Sequence, residues 1–366
     1  MDSLAKHQPR LRPEVLISEP LLLGPKTVHL VKDTDSGQSF EVGARERFLM
    51  VRMDGDRTLA EIGAEYAETF GKRLGDAQWG QLLGLLGSRG LLAGAPQPPA
   101  RDEGAEPKRR NGPLGGSIRL VADAHATAGR LHRHTGFLLG RAWGGALLAT
   151  LAVMLVALAV NLGALIDGTA TVFTNPVLLM GVATLLWFST ALHELAHGVA
   201  ARHYGGQVGE IGLRWRLPVV IMYCTVDNYP YMSTRWHRIV VAGAGAVMNL
   251  LFLLPFFVWW ALAPDGDTRE GLAGLLFLGA LQAAAMLVPL PPLDGYTIVG
   301  QLLGTARLAE STRVYWSSAL RRAPGSAAYP RRARNAYRAY GVGAVLVVAL
   351  LVTVLILLVQ ALLNAS

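Results

Sequence analysis

The chain has 366 residues, of which 52% are hydrophobic and 16% charged. A soluble domain carries about a quarter charged residues, so much of this surface faces something other than water. The net charge of +8 with a mean hydropathy of +0.34 points to basic loops on one side of a membrane rather than to nucleic acid. The single cysteine, Cys224, excludes an intrachain disulfide and a multi-thiolate zinc site.

The N-terminus, MDSLAKHQPRLRPEV, carries no apolar h-region, so no cleavable signal peptide is expected. Residues 11–95 read as a small soluble α/β module. Thr27–Lys32 and Gln38–Val42 flank Asp35-Ser36-Gly37 as two strands about a hairpin turn. Thr58-Leu-Ala-Glu61 is a capping box that opens an amphipathic helix running to Phe70. A further helix covers Ala77–Ser88 and stops near Gly90. Residues 95–116, rich in Pro, Gly and charge, read as a linker, with a juxtamembrane segment continuing to residue 136.

Residues 137–366 read as a polytopic α-helical membrane domain. Five apolar segments, near 142–166, 177–201, 239–262, 271–290 and 340–363, are each long enough to cross a bilayer of about 30 Å. Arginine is concentrated before the first segment, between the second and third (Arg202, Arg214, Arg216, Arg235, Arg238), and after the fourth, whereas the opposite loops carry only Arg269. The positive-inside rule then puts the N-terminal module and both Arg-rich loops in the cytoplasm of a multi-pass cell-membrane protein, with the C-terminus outside.

The second segment contains His193-Glu-Leu-Ala-His197. Residues four apart share a helix face, so both imidazoles reach one ion, and Glu194 stands where a carboxylate takes a proton from an activated water. Ionisable groups in a spanning helix are costly and functional by default. The plainer alternative is two neutral histidines bonded to backbone. A catalytic zinc takes three protein ligands, and only Asp227 and Asp294 lie at a suitable depth. Asp294, in Pro289-Leu-Pro-Pro-Leu-Asp-Gly295, follows a proline-broken helix, but Asp-Gly is equally a turn sequence. His203 nearly completes a three-histidine pattern; Ala200 stands where that pattern needs a glycine, and a continuing helix turns His203 off the metal-facing side. Asn249, an amide inside the third segment, needs a partner there, and is read as a substrate-positioning or oxyanion-stabilising group.

Together these pieces resemble the site-2 protease family of intramembrane zinc metalloproteases. The resemblance rests on His193-Glu-Leu-Ala-His197, on Gly245-Ala-Val-Met-Asn249 for the family's GxxxN, and on Pro289 with Leu293-Asp294-Gly295 for its PxxxLDG. It covers residues 177–305. It implies one zinc ion held by His193, His197 and Asp294, catalysis by Glu194, and an active site near the cytoplasmic face. Two positions depart from the family pattern: Ala246 replaces a proline, and Met286 stands where asparagine is frequent. Residues 11–95, through Leu11-Arg-Pro13, Met53-Asp-Gly-Asp-Arg-Thr58 and Gly90-Leu-Leu92, resemble the winged-helix-like PqqD peptide-recognition domain. That family binds leader peptides of ribosomally made, modified peptides by adding a strand to its sheet. A similar fold with no partner is the alternative.

The reading is therefore a membrane zinc endopeptidase whose partners are a peptide substrate and membrane lipid, not nucleic acid. Leader removal or precursor processing leads. Regulated cleavage of a membrane-anchored factor and non-catalytic escort of a peptide to an exporter are the alternatives.

Overall fold

The computed structural model describes residues 2–96, 112, 114–216, 219–321 and 328–365. The centre of the expected linker, with Lys108, Arg109 and Arg110, and Arg322 lie outside the described residues. The chain divides into two compact units, Met1–Arg109 with Gly304–Asn335, and Arg110–Leu303 with Ala336–Ser366. This differs from a division near residues 95 and 137, because residues 304–335 group with the N-terminal module.

The first unit opens with a short helix, α1 (Asp2–Ala5). Strands β1 (Val15–Ile17), β2 (Leu21–Leu23), β3 (Lys26–Asp33) and β4 (Ser39–Val42) form an antiparallel sheet in which β3 pairs with all three others. β1 and β2 take successive stretches of one side of β3, as Val15↔Asp33 and Leu21↔Val28, and β4 takes the other, as Val31↔Phe40. The expected turn forms at 33–37: Asp33 Oδ2 accepts from the Ser36 hydroxyl at 2.6 Å, and Gly37 takes φ +71°. Helices α2 (Ala44–Met50), α3 (Leu59–Phe70) and α4 (Asp76–Ser88) cover the sheet around Val31, Met50, Ile62 and Trp79. The Thr58 capping box is present, with the Thr58 N–H donating to Glu61 Oε2 at 2.7 Å and the Glu61 N–H to Thr58 Oγ1 at 3.3 Å. The outer side of β2 is not free: Leu22 N–H donates to Gly304 O at 2.8 Å and Ala306 N–H to Leu22 O at 2.9 Å. That pairing, with the Gly24 N–H donating to Ser311 Oγ at 3.4 Å, is why a stretch distant in sequence joins this unit.

In the second unit, β5 (Gly115–Arg119) lies where a linker was expected. It pairs antiparallel with β6 (Val208–Arg216), which pairs with β7 (Val219–Val226), giving the order β5-β6-β7. Short strands with glycine and an exposed face carry too little apolar signal to stand out from linker composition. Helix α5 (Ala124–Thr135) follows, capped by Asp123, whose Oδ1 accepts from Ala126 N–H at 2.8 Å. Then come α6 (Arg141–Val160), α7 (Leu162–Thr174), α8 (Pro176–His203), α9 (Arg235–Leu262), α10 (Asp267–Met286), α11 (Asp294–Leu303), α12 (Leu308–Leu320, in the first unit) and α13 (Arg331–Ala365).

Among the described residues four helices are long and apolar enough to cross a membrane: Arg141–Val160, Pro176–His203, Arg235–Leu262 and Arg331–Val354. The fourth expected span, 271–290, is not among them. It is α10, which starts on Asp267, Arg269 and Glu270 and is rich in Gly and Ala, with residues Gly271–Leu276 buried. The first span ends early because Asn161 donates its side chain back to Ala157 O at 2.8 Å, and the chain restarts as α7. The last begins at Arg331, since its first turns are polar yet bury Ala333, Ala336, Tyr337 and Tyr340. The core of the unit gathers Leu151, Met154, Leu165, Val172, Leu253 and Leu276.

Candidate metal centre

Helix α8 is started by Asn175, whose Oδ1 accepts from the N–H of Val177 and Leu178, with Pro176 at the first helical position. One turn apart near its C-terminal end, His193 and His197 face α9. Their Nε2 atoms are 3.1 Å apart and their rings stand edge to face at 88°. Close approach of α9 is possible because residue 245 is glycine: a Cβ there would overlap the His193 ring. The glycine of the GxxxN pattern therefore does more than pack helices. It makes room for the His193 ring.

α10 ends at Met286, and the proline-rich stretch 287–293, with a cis Pro291–Pro292 bond, carries the chain to α11. Asp294 is the first residue of α11. Its Oδ2 lies 3.0 Å from His193 Nε2 and 3.5 Å from His197 Nε2. Of the two carboxylates that spacing left open, Asp294 joins the histidines, whereas Asp227 ends up just past β7 and outside the group. His193 is 3% exposed, His197 12% and Asp294 20%.

Asp294 Oδ2 is buried without a directed hydrogen bond among the described residues, despite those short contacts. Three candidate donor atoms therefore converge within contact distance of one another. The triangle they form, with edges of 3.0, 3.1 and 3.5 Å, fits a tetrahedral zinc, whose bonds of about 2.0–2.1 Å separate neighbouring donors by about 3.3 Å. Two imidazoles and a carboxylate are also the donor chemistry of catalytic zinc.

The far side of each ring is engaged. His197 Nδ1 donates to Val241 O at 2.7 Å, leaving the Nε2 lone pair for the shared point. His193 Nδ1 lies 3.2 Å from the Asn249 amide, whose other end meets Ser189 Oγ at 3.0 Å. Ligation through His193 Nε2 calls for the amide oxygen to face His193 Nδ1–H, with Ser189 Oγ accepting from the amide nitrogen. Asn249 is 1% exposed and sits against the far side of the His193 ring. Ser189 was not foreseen. Its signal was available, since it precedes His193 by four residues and so shares its face.

Glu194 is half-buried, and its Oε2 accepts from the Cys224 N–H of β7 at 3.1 Å. The apolar run Val219–Cys224 lies in β7, which Trp187 Nε1–H also ties to α8 through Val220 O at 2.9 Å. Burial, with the Glu194 and Asp227 carboxylates nearby, pushes the Cys224 thiol up to about 12, so it stands protonated and is no nucleophile. His203 lies exposed at the end of α8, away from the three donors. No protein-family model, curated protein or solved structure matches the chain.

Proposed function

We propose that the chain is a membrane-embedded zinc metallopeptidase of the site-2 protease type, and that its N-terminal unit recruits a peptide substrate in the manner of a PqqD-like domain. The observation that carries this reading is the convergence of a buried Asp294 oxygen with the Nε2 atoms of His193 and His197, all within 3.5 Å of one another.

His193, His197 and Asp294 would hold the zinc, with His197 oriented by Val241 O and His193 by Asn249 and Ser189. When bound there, the ion supplies Lewis acidity to a water and to the scissile carbonyl. Glu194 takes the proton of the attacking water at one carboxylate oxygen while Cys224 N–H holds the other in place, and returns the proton to the leaving amine. β7, beside the site, offers extended backbone along which a peptide is held straight for attack. Arginine in the 202–238 loop and near α6 favours placing the site toward the cytoplasm.

The test is purified protein incubated with a leader-bearing precursor peptide and, separately, with a membrane-anchored substrate. Turnover that is lost on chelation and restored by zinc supports the reading, and the substrate cleaved separates leader removal from regulated intramembrane cleavage. A Glu194→Gln variant that processes peptide like the wild type would overturn it in favour of a non-catalytic escort.

A further inference from the structure

Where α5 packs on the end of α8, a cavity of about 860 Å³ is lined by His125, Arg130, His132, Arg133, Arg202 and His203. Its polar lining is wholly basic. Arg130 donates to Thr127 Oγ1 at 3.0 Å, and among the described residues neither it, Arg133 nor Arg202 has a carboxylate in ion-pairing range. His125 Nδ1 accepts from Val208 N–H at 3.4 Å, which turns Nε2–H outward as a donor. His132 Nε2 and His203 Nδ1, 3.0 Å apart, share one proton between them. A concave site with three guanidiniums and several imidazole N–H groups is built for a phosphate.

Its level in the fold says which phosphate. The cavity lies at the last residue of α8 and just before α6 begins at Arg141, and both helices are long and apolar enough to cross a membrane. Phe137, on the rim, and Trp143 pair edge to face at 5.7 Å, and both are exposed. Aromatic rings in that setting lie at the headgroup level. Basic pockets at the ends of spanning helices hold anionic headgroups. We infer that the α5–α8 cavity is a binding site for the phosphate of an anionic phospholipid, a function separate from the metal centre. It rests on the membrane placement of α6 and α8 and not on the peptidase chemistry.

The test uses the full chain in nanodiscs of phosphatidylcholine with or without phosphatidylglycerol, with retained lipid read by native mass spectrometry. An Arg130→Gln, Arg133→Gln, Arg202→Gln triple variant runs alongside, and inorganic phosphate serves as competitor. Phosphatidylglycerol should be held in preference to phosphatidylcholine, on the order of a hundredfold more weakly by the triple variant at about fivefold per arginine, and should resist inorganic phosphate. Equal retention by variant and wild type overturns the inference, as does complete displacement by inorganic phosphate. Photoactivatable phosphatidylglycerol on the wild type guards against a variant that does not fold: label on residues 125–137 or 202–203 sustains the site, and label confined elsewhere overturns it. Recovery of the chain from alkali-washed membranes reads the membrane placement by itself, so a failure there is told apart from a failure of the pocket.

Discussion

Helix α8 carries one histidine pair within its length and contributes to another at its end. The nitrogens of His193 and His197 are 3.1 Å apart, and those of His132 and His203 are 3.0 Å apart. The pairs differ in what surrounds them. The first is buried, has a carboxylate oxygen at its convergence, and has each far nitrogen engaged by Val241 O or Asn249. The second is open to solvent at His203 and ringed by arginines. On the readings proposed above, the same two rings at the same spacing serve a cation in one place and an anion in the other. The third group, not the pair, decides the sign.

The largest test of that contrast is Glu194→Gln. It should lower peptide turnover by about a thousandfold, within the range for a lost general base, while elemental analysis still finds zinc at the wild-type level. Zinc loss in this variant would mean that Glu194 belongs with the ligands. Next comes Cys224, which lies on the strand covering the buried pair. With its thiol raised from 9.0 to about 12, its thiolate at mildly alkaline pH falls by about a thousandfold. Alkylation followed by mass spectrometry should therefore be slow, and should speed up only as pH rises toward the raised value. Fast labelling near neutrality would show that water reaches this side of the site freely. Ser189→Ala and Asn249→Ala should each weaken zinc binding by about 10- to 100-fold in a chelator competition, the range for a partner that orients a histidine ligand. An unchanged affinity would show that His193 needs neither partner to orient it. The smallest effect is expected from Trp187→Phe, which removes the hydrogen bond to Val220 O. About 1 kcal/mol is at stake, read as a rise in KM of about fivefold with kcat nearly unchanged.

The donors of the buried pair were readable because helical spacing is rigid: residues 193 and 197 share a face in any α-helix. Asp294 was not readable from spacing, since nearly a hundred residues separate it from the histidines and only the path of α9, α10 and the proline stretch brings it back. Asn249 was singled out, but its direction was not, because a buried amide announces only that it needs a partner. The spans followed from hydropathy where a helix faces outward. α10 forms over most of the expected fourth span, but it falls short of the other spans in hydropathy because an enclosed helix can be built from Gly and Ala, whose small side chains suit close packing, and because it starts on charged residues. β5 and α5 escaped for the reverse reason, being short, partly exposed and set in polar sequence. In the first unit, turn and capping residues carried the reading: Gly37 and the Thr58–Glu61 box stand where the local chemistry requires. The short strands β1 and β2 offered no such marker.

The pairing of residues 304–306 with β2 has a consequence for recruitment. A sheet offers two rims for a guest strand, and here the β2 part of one rim is already taken by the chain's own return segment. A leader peptide of the proposed kind, docking by backbone pairing, would then meet only short stretches, Ser39–Val42 of β4 and Val15–Ile17 of β1. So brief a ladder grips few residues, which favours a quick hand-over of cargo above tight storage.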